Sequence, residues 1–326
     1  MKDDPGMQGT AIAQPNIALI KYWGKRDVER NLPAVGSISV TLRELYTRMQ
    51  VEFDASLDHD VLTVNGRPEE KMLPRLSACL DSVAGTARPR ARIASICNFP
   101  IAAGLASSAS SFAALTVAGA HASGRTMAAD VLANLAGRAS GSAARSLLGG
   151  FVELENREDA VVVQSLCTSA EWPLQVVVAI TESGPKAIGS TEAMEISRKT
   201  SPFYAKWVDQ QAHDLDIARA AIADRDFEKL AAVAEHNCLK MHSVMWASRP
   251  PLVYWNAATM RCMQAVRHLQ GQGIGVFFTI DAGPQVKAVC LPEHVGDVEA
   301  ALQATAGVAD IMTTGLGSGA RLERTA

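Results

Sequence analysis

Few aromatics, no paired cysteines and no excess of basic charge mark this sequence, and each shortage removes a class of protein. Aromatic residues make up 5% of the 326 positions while 48% are hydrophobic, so the core must be largely aliphatic and alanine-rich. Lys and Arg total 31 against 34 Asp and Glu, a formal charge of −3. Bulk nucleic-acid binding needs a basic excess and is not expected, although a few local cations could still hold an anionic ligand. Cys79, Cys97, Cys167, Cys238, Cys262 and Cys290 contain no C-x-x-C pair, and the expectation is buried thiols in a reducing compartment. The seven histidines show no H-x-x-x-H spacing for a metal. No apolar run approaches the ~18 residues of a membrane helix, and residues 1–6 lack the apolar stretch of a signal peptide. A cytoplasmic protein without a membrane partner is therefore expected.

What is present reads as α+β. At roughly 100–200 residues per domain, the length fits one large body or two moderate ones. It is large enough to bury a core without disulfides or metal. Strands are expected at 51–53, Val61–Val64, 92–97, 160–167 and 174–180, with a hairpin-type turn at Asn65-Gly66. Helical spacing appears at 108–121 and 128–137. Beyond 183–185 come three long amphipathic helices, at 203–223, Phe227–Trp246 and 254–269. Strands at Val276–Ile280 and 286–291, a helix at 295–306 and a strand at 309–313 complete the chain. The division expected is a strand-rich 1–185 and a helix-rich 186–326, forming one body with a cleft between them.

Four places carry chemistry. Between a strand and a helix lies Pro100-x-x-x-Gly104-Leu105-x-Ser107-Ser108-Ala109-Ser110. A glycine turn and serine hydroxyls at a helix start suit a phosphate, although a serine cap alone is common. It is not a Walker loop. Lys21 directly follows the apolar run Ile17-Ala18-Leu19-Ile20, and with Lys25 and Arg26 it puts three cations within six residues. A lysine in such a run implies an anionic partner. In Ser140-Gly141-Ser142-Ala143-Ala144-Arg145, small residues allow close backbone approach, and the arginine can grip a carboxylate bidentately. Asp281 follows a strand and precedes Ala282-Gly283-Pro284. A carboxylate there can serve as a general base, while in isolation a turn aspartate is the simpler reading.

Together these segments resemble one family. The Pro100–Ser110 pattern is similar to the phosphate-binding motif of the galactokinase, homoserine kinase, mevalonate kinase and phosphomevalonate kinase (GHMP) superfamily. The 15–27 segment, Ser37-Ile38-Ser39-Val40-Thr41, the 139–152 segment and Phe278-Thr279-Ile280-Asp281-Ala282-Gly283-Pro284 resemble its diphosphomevalonate decarboxylase branch. They run in the family's order over nearly the whole chain. The resemblance implies a two-lobed GHMP-kinase-like fold, with a ribosomal protein S5 domain 2-like N-terminal lobe and a ferredoxin-like C-terminal lobe. It also implies an active site between the lobes and a homodimer.

The implied activity is ATP- and Mg²⁺-dependent decarboxylation of mevalonate 5-diphosphate. Asp281, Arg145 and Lys21 are the implied catalytic residues. Substrate would contact Tyr22, Lys25, Ser140, Gly141, Ser142, Arg145, Ser190, Thr191, Met194 and Ala282. ATP would contact Pro100, Gly104, Leu105, Ser107, Ser108, Ser110 and Lys186, with Ser107 near the metal. A solvated loop lysine competes as the reading of Lys186, and Gly189 stands where the family usually has serine. Two alternatives share the branch: a decarboxylase of mevalonate 5-phosphate, and a kinase that phosphorylates the 3-hydroxyl and stops. His242 matches a family helix position but reads as a packed histidine, and the glycine run 315–319 is given no role.

Overall fold

The structure is a computed structural model that describes residues 7–99, 107–182, 184 and 188–323. In chain order its first part contains β1 (Gln8–Ala13), β2 (Asn16–Ile20), β3 (Lys25–Asp27), β4 (Leu32–Pro33) and β5 (Ser37–Thr41). Then come β6 (Thr47–Phe53), β7 (Val61–Val64), β8 (Arg67–Pro68), α1 (Leu73–Ala84) and β9 (Ala91–Cys97). Next are α2 (Ser107–Ala122), α3 (Ala129–Ala139), a 3-10 turn at Ala143–Leu147, β10 (Phe151–Asn156) and β11 (Val161–Cys167). The second part has β12 (Gln175–Ile180), α4 (Ser190–Thr200), α5 (Tyr204–Asp224), α6 (Phe227–Trp246) and α7 (Ala257–Gly271). It ends with β13 (Val276–Ile280), β14 (Val286–Cys290), α8 (Val295–Gln303), β15 (Asp310–Gly315) and β16 (Arg321–Leu322).

These strands form three main sheets, ordered β16-β1-β6-β9-β7-β8, β11-β10-β5-β2 and β13-β14-β12-β15. Strict alternation in β9, where every second side chain is buried, gives the first sheet one face for α1 and α2. The Asn65-Gly66 turn joins β7 to β8 with both residues left-handed, φ 49° and 77°, as a two-residue hairpin demands. All five residues of β2, β5, β13 and β14 are buried, because helices or a second sheet cover both faces.

One apolar cluster joins the parts: Ile17, Val40 and Phe151 of the second sheet meet Val176 of the third and Leu215 and Leu230 of α5 and α6. The α+β class and the two-lobed architecture are therefore built around a shared core. β12 precedes residue 185, yet its hydrogen-bonded neighbours are β14 and β15. The third sheet thus draws on residues before that point.

Candidate active site

Lys21 lies one residue beyond the end of β2, outside the ladder, so its peptide groups need other partners. Its N–H donates to Asn237 Oδ1 of α6 at 2.8 Å, and its carbonyl accepts from Gln211 Nε2 of α5 at 2.7 Å. Asn237 Nδ2 donates in turn to Gln211 Oε1 at 3.0 Å and Asp214 Oδ2 at 2.6 Å. Three buried side chains on two helices thus set where the lysine emerges. Its Nζ then meets Asp281 Oδ1 at 2.7 Å.

Asp281 is held from two sides, because Lys287 Nζ of β14 lies 3.4 Å from Oδ2. Burial alone would raise the Asp281 pKa, but the Lys21 and Lys287 charges outweigh it and hold the carboxyl well below the ordinary carboxylate range. About a quarter of its side chain is exposed, and it lies on the wall of a cleft of about 1040 Å³.

Arg145 sits in the 3-10 turn and is 2% exposed. Asn16 Oδ1 accepts from its Nη2 at 3.1 Å, Ser39 Oγ from Nε at 2.9 Å, and Ser37 Oγ from Nη1. Asn16 is oriented for this because its Nδ2 donates to the Ser142 carbonyl at 3.0 Å and Ser146 Oγ at 2.8 Å. Burial lowers the Arg145 pKa to about 10, against the raising effects of Asp281 and Tyr22, so the guanidinium stays charged at neutral pH. It lines the same cleft.

Ser140, Gly141 and Ser142 also line it. A Cβ at Gly141 would meet Tyr22 Oη at 2.3 Å, so only glycine lets the ring pack there. The Tyr22 hydroxyl is buried without a hydrogen-bond partner among the described residues, and burial pushes its pKa up to about 12. Across the cleft, Lys25 Nζ donates to Thr191 Oγ1 of α4 at 3.5 Å, beside Ser190, Met194 and Ala282. Burial lowers the Lys25 pKa while Glu195 counters it.

The start of α2 completes the wall with Ser107, Ser108 and Ser111, and Ser140 Oγ reaches Ser108 Oγ at 3.4 Å. Exposed N–H groups and the dipole at a helix start favour an anion. Ser110 departs from the expected nucleotide contact. It is fully buried, where its Oγ donates to the Ser107 carbonyl at 3.1 Å and pairs with Thr47 Oγ1 at 2.7 Å. Pro100, Gly104, Leu105 and Lys186 lie outside the described residues.

Ser111, one of the serine hydroxyls that the sequence places at this helix start, lies one turn beyond Ser107 and lines the cleft. Other supporting residues escaped the sequence reading. Ser37 and Ser39 alternate on β5 and so share a face, yet nothing local announces that they grip an arginine 106 and 108 residues away. Lys287 stands in the apolar run Val286–Cys290, the same signal that drew attention to Lys21. His242 is buried and packed against Trp255, whose Nε1 donates to His242 Nε2 at 3.2 Å.

Known proteins share this chain's sequence and fold. The profile of a diphosphomevalonate decarboxylase-like N-terminal domain matches residues 13–167, and that of a mevalonate 5-diphosphate decarboxylase C-terminal domain matches 176–320. Human diphosphomevalonate decarboxylase is 36% identical over 321 residues, spanning 90% of this chain and 79% of that protein. The Candida albicans diphosphomevalonate decarboxylase is 33% identical, over 96% of this chain and 97% of its own length. Among solved structures, Staphylococcus aureus mevalonate diphosphate decarboxylase superposes with a TM-score of 0.91 at 34% identity, covering 98% of each chain. A complex of a protein designated MDDEF with MVAPP, AMPPCP and magnesium gives a TM-score of 0.90 at 33% identity, over 98% of this chain and 99% of that one. With both profiles matched in order and relatives above 30% identity spanned nearly end to end, the chain belongs to the diphosphomevalonate decarboxylase family.

Proposed function

We propose that this protein uses ATP to phosphorylate the 3-hydroxyl of mevalonate 5-diphosphate and then releases phosphate and CO₂, yielding isopentenyl diphosphate and ADP. The observation that carries the reading is the convergence on one cleft wall of the Lys21–Asp281 pair, Arg145 and the serine start of α2. Family membership supports it, as does the likeness to a structure holding MVAPP and the ATP analogue AMPPCP.

The chemistry explains why these groups occur together. A 3-hydroxy acid with a tertiary alcohol lacks a leaving group, and phosphoryl transfer supplies one. Asp281, ionised between two ammonium groups, accepts the 3-hydroxyl proton as that oxygen bonds to the γ-phosphorus. The bond from the γ-phosphorus to the bridging oxygen breaks, its electrons leaving with ADP. Lys21 offsets charge on the phosphoryl group in transit. The C3–O bond then breaks, its electron pair leaving with phosphate. Electrons from the C1–C2 bond form the C2=C3 double bond, and C1 departs as CO₂. Arg145 holds the carboxylate along the axis of that cleavage, fixed in direction by Asn16, Ser37 and Ser39.

Tyr22, Lys25, Ser140, Gly141 and Ser142, with Ser190, Thr191, Met194 and Ala282 opposite, are proposed to hold the diphosphate-bearing end. Ser107 and Ser108, with Pro100, Gly104, Leu105 and Lys186, are proposed to hold the nucleotide. Among the described residues no group of three His, Cys, Asp or Glu gathers as a metal site. Ser107 Oγ would be the protein's contribution to a magnesium carried mainly by phosphate oxygens, the usual habit of this ion. When bound, magnesium offsets the negative charge of the triphosphate.

No helix among the described residues is long and apolar enough to cross a membrane. A cytoplasmic location is proposed on the strength of six free, buried thiols. A homodimer and a functional division into 1–185 and 186–326 are part of the same reading. The test is one coupled assay of ADP and CO₂ release from mevalonate 5-diphosphate and mevalonate 5-phosphate. Equimolar ADP and CO₂ with the diphosphate favoured is expected. Preference for the monophosphate, or ADP without CO₂, would overturn it.

A further inference from the structure

Lys287 is the second residue of β14, opposite Thr279 of β13 and Val178 of β12, and its side chain has no exposed surface. An ammonium costs several kcal/mol to bury and persists only with a counter-charge. Asp281 Oδ2 supplies it at 3.4 Å, and that oxygen has no hydrogen-bond partner among the described residues. Oδ1 is taken by Lys21 Nζ at 2.7 Å. One carboxylate therefore lies between two ammonium groups brought by different strands. The two differ in access, for Lys21 lines the cleft and Lys287 does not.

We propose that Lys287 is the resident counter-ion and a positioning residue for Asp281, leaving Lys21 able to exchange its carboxylate contact for an incoming phosphate. This rests on the role given to Asp281 above. Two ammonium groups against one carboxylate leave a surplus positive charge at the wall, which suits an anionic ligand. When Lys21 turns to that ligand, an Asp281 without a second cation would face phosphate oxygens from a dry site and take up a proton. A protonated carboxyl no longer accepts the 3-hydroxyl proton. Lys287, behind the carboxylate and out of reach of ligand, keeps it ionised and keeps Oδ1 pointed into the cleft. Among the described residues, Cys238 and His242 of α6 and Arg145 of the 3-10 turn also face this pair. Burial pulls the Lys287 pKa down while Asp281 pulls it up.

The experiment compares Lys287→Met, Lys287→Gln, Asp281→Asn and the Lys287→Met/Asp281→Asn double variant by single-turnover ADP and CO₂ release. The lysine variants are expected to lose about 10- to 100-fold in kcat with KM for both ligands within about threefold, as for a supporting residue that touches neither. In the Asp281→Asn background, Lys287→Met should add nothing further to the loss. The ¹³C-carboxyl resonance of Asp281, assigned as the one missing in Asp281→Asn, should titrate at higher pH in the lysine variants. A kcat within twofold of the parent, an equal loss in both backgrounds, or an unchanged titration would overturn the proposal. Should neither lysine variant fold, the parent decides. With substrate and AMPPCP bound, its Asp281 carbon must keep the ionised shift down to about pH 4, and titration in the ordinary carboxylate range overturns the proposal. Full activity of Asp281→Asn would remove the role of Asp281 itself. Its inactivity beside unaffected lysine variants removes only that of Lys287.

Discussion

Thr279 Oγ1 donates a hydrogen bond to the Ala18 carbonyl at 3.0 Å, stitching β13 to β2 across 261 residues of chain. β13 ends one residue after Thr279 and β2 two residues after Ala18, and the next side chains are Asp281 and Lys21. The ion pair between them is therefore a consequence of how two sheets are joined. A change at either strand would be read directly as misalignment of the pair.

Asp281→Asn keeps the side-chain shape but removes the acceptor charge. Turnover is expected to fall roughly a thousandfold, the scale of a lost acid–base group, while ATP and substrate still bind by calorimetry. Near-normal turnover would remove Asp281 from the chemistry.

Arg145→Ala leaves Asn16, Ser37 and Ser39 without the cation they orient. The expectation is a fall in kcat on the order of 100-fold or more, as for loss of a preorganised charge partner. A change confined to the KM for ATP would contradict a grip on the substrate carboxylate. Arg145→Lys should rescue little, because one ammonium cannot satisfy three acceptors and also present a fork.

The Tyr22 hydroxyl, buried with no partner among the described residues, is costly in the free protein. Tyr22→Phe should stabilise the ligand-free state by about 1 kcal/mol, seen as a higher midpoint in urea, while weakening substrate affinity. Lower stability together with unchanged affinity would show that the hydroxyl is not held for a ligand.

His242 is buried beside Trp255 with its pKa lowered to about 3, chiefly by burial, against 6.5 unfolded. The folded state excludes a proton that the unfolded chain accepts. Stability from this group is therefore intact above pH 6.5 and is lost as pH falls towards about 3. Between pH 7 and 5 the loss is about 2 kcal/mol. In His242→Gln this part of the acid dependence should vanish from urea unfolding curves, and identical slopes in both proteins would refute the account.

Much of the fold was legible because its periodicities are long and clean. α6 and β13 begin and end where the hydrophobic spacing says, and Asp226 caps α6 by accepting from the Lys229 N–H. α7 starts at Ala257, later than the apolar pattern suggests, because Asn256 and Thr259 form a capping box. α1 and α4 escaped the reading. α4 is mostly polar and buries only Ala193, Met194 and Ser197, and such a helix gains its stability from tertiary packing. In the candidate site, Lys21, Arg145 and Asp281 stood out locally as charged groups set among apolar or small residues. Lys287 carried the same signal, and its partner Asp281 stands just ahead of it, at the far end of the short connection from β13 to β14.

By itself, the sequence determined the class of the molecule and the chemical character of its site. It did so through a neutral charge balance, aliphatic strands and helices, and a few cations placed where solvent is scarce. Tertiary structure alone decided which groups pair. Residues 16, 37, 39 and 145 converge, as do 21, 281 and 287, because the second and third sheets share one core beside the cleft. It also decided which serines face that cleft, turning Ser111 in and Ser110 away. The reason is the range of the forces involved. Burial preference and capping act over a few residues and can be read in order along the chain. Hydrogen bonds and ion pairs form only between groups that folding has already brought within about 3 Å.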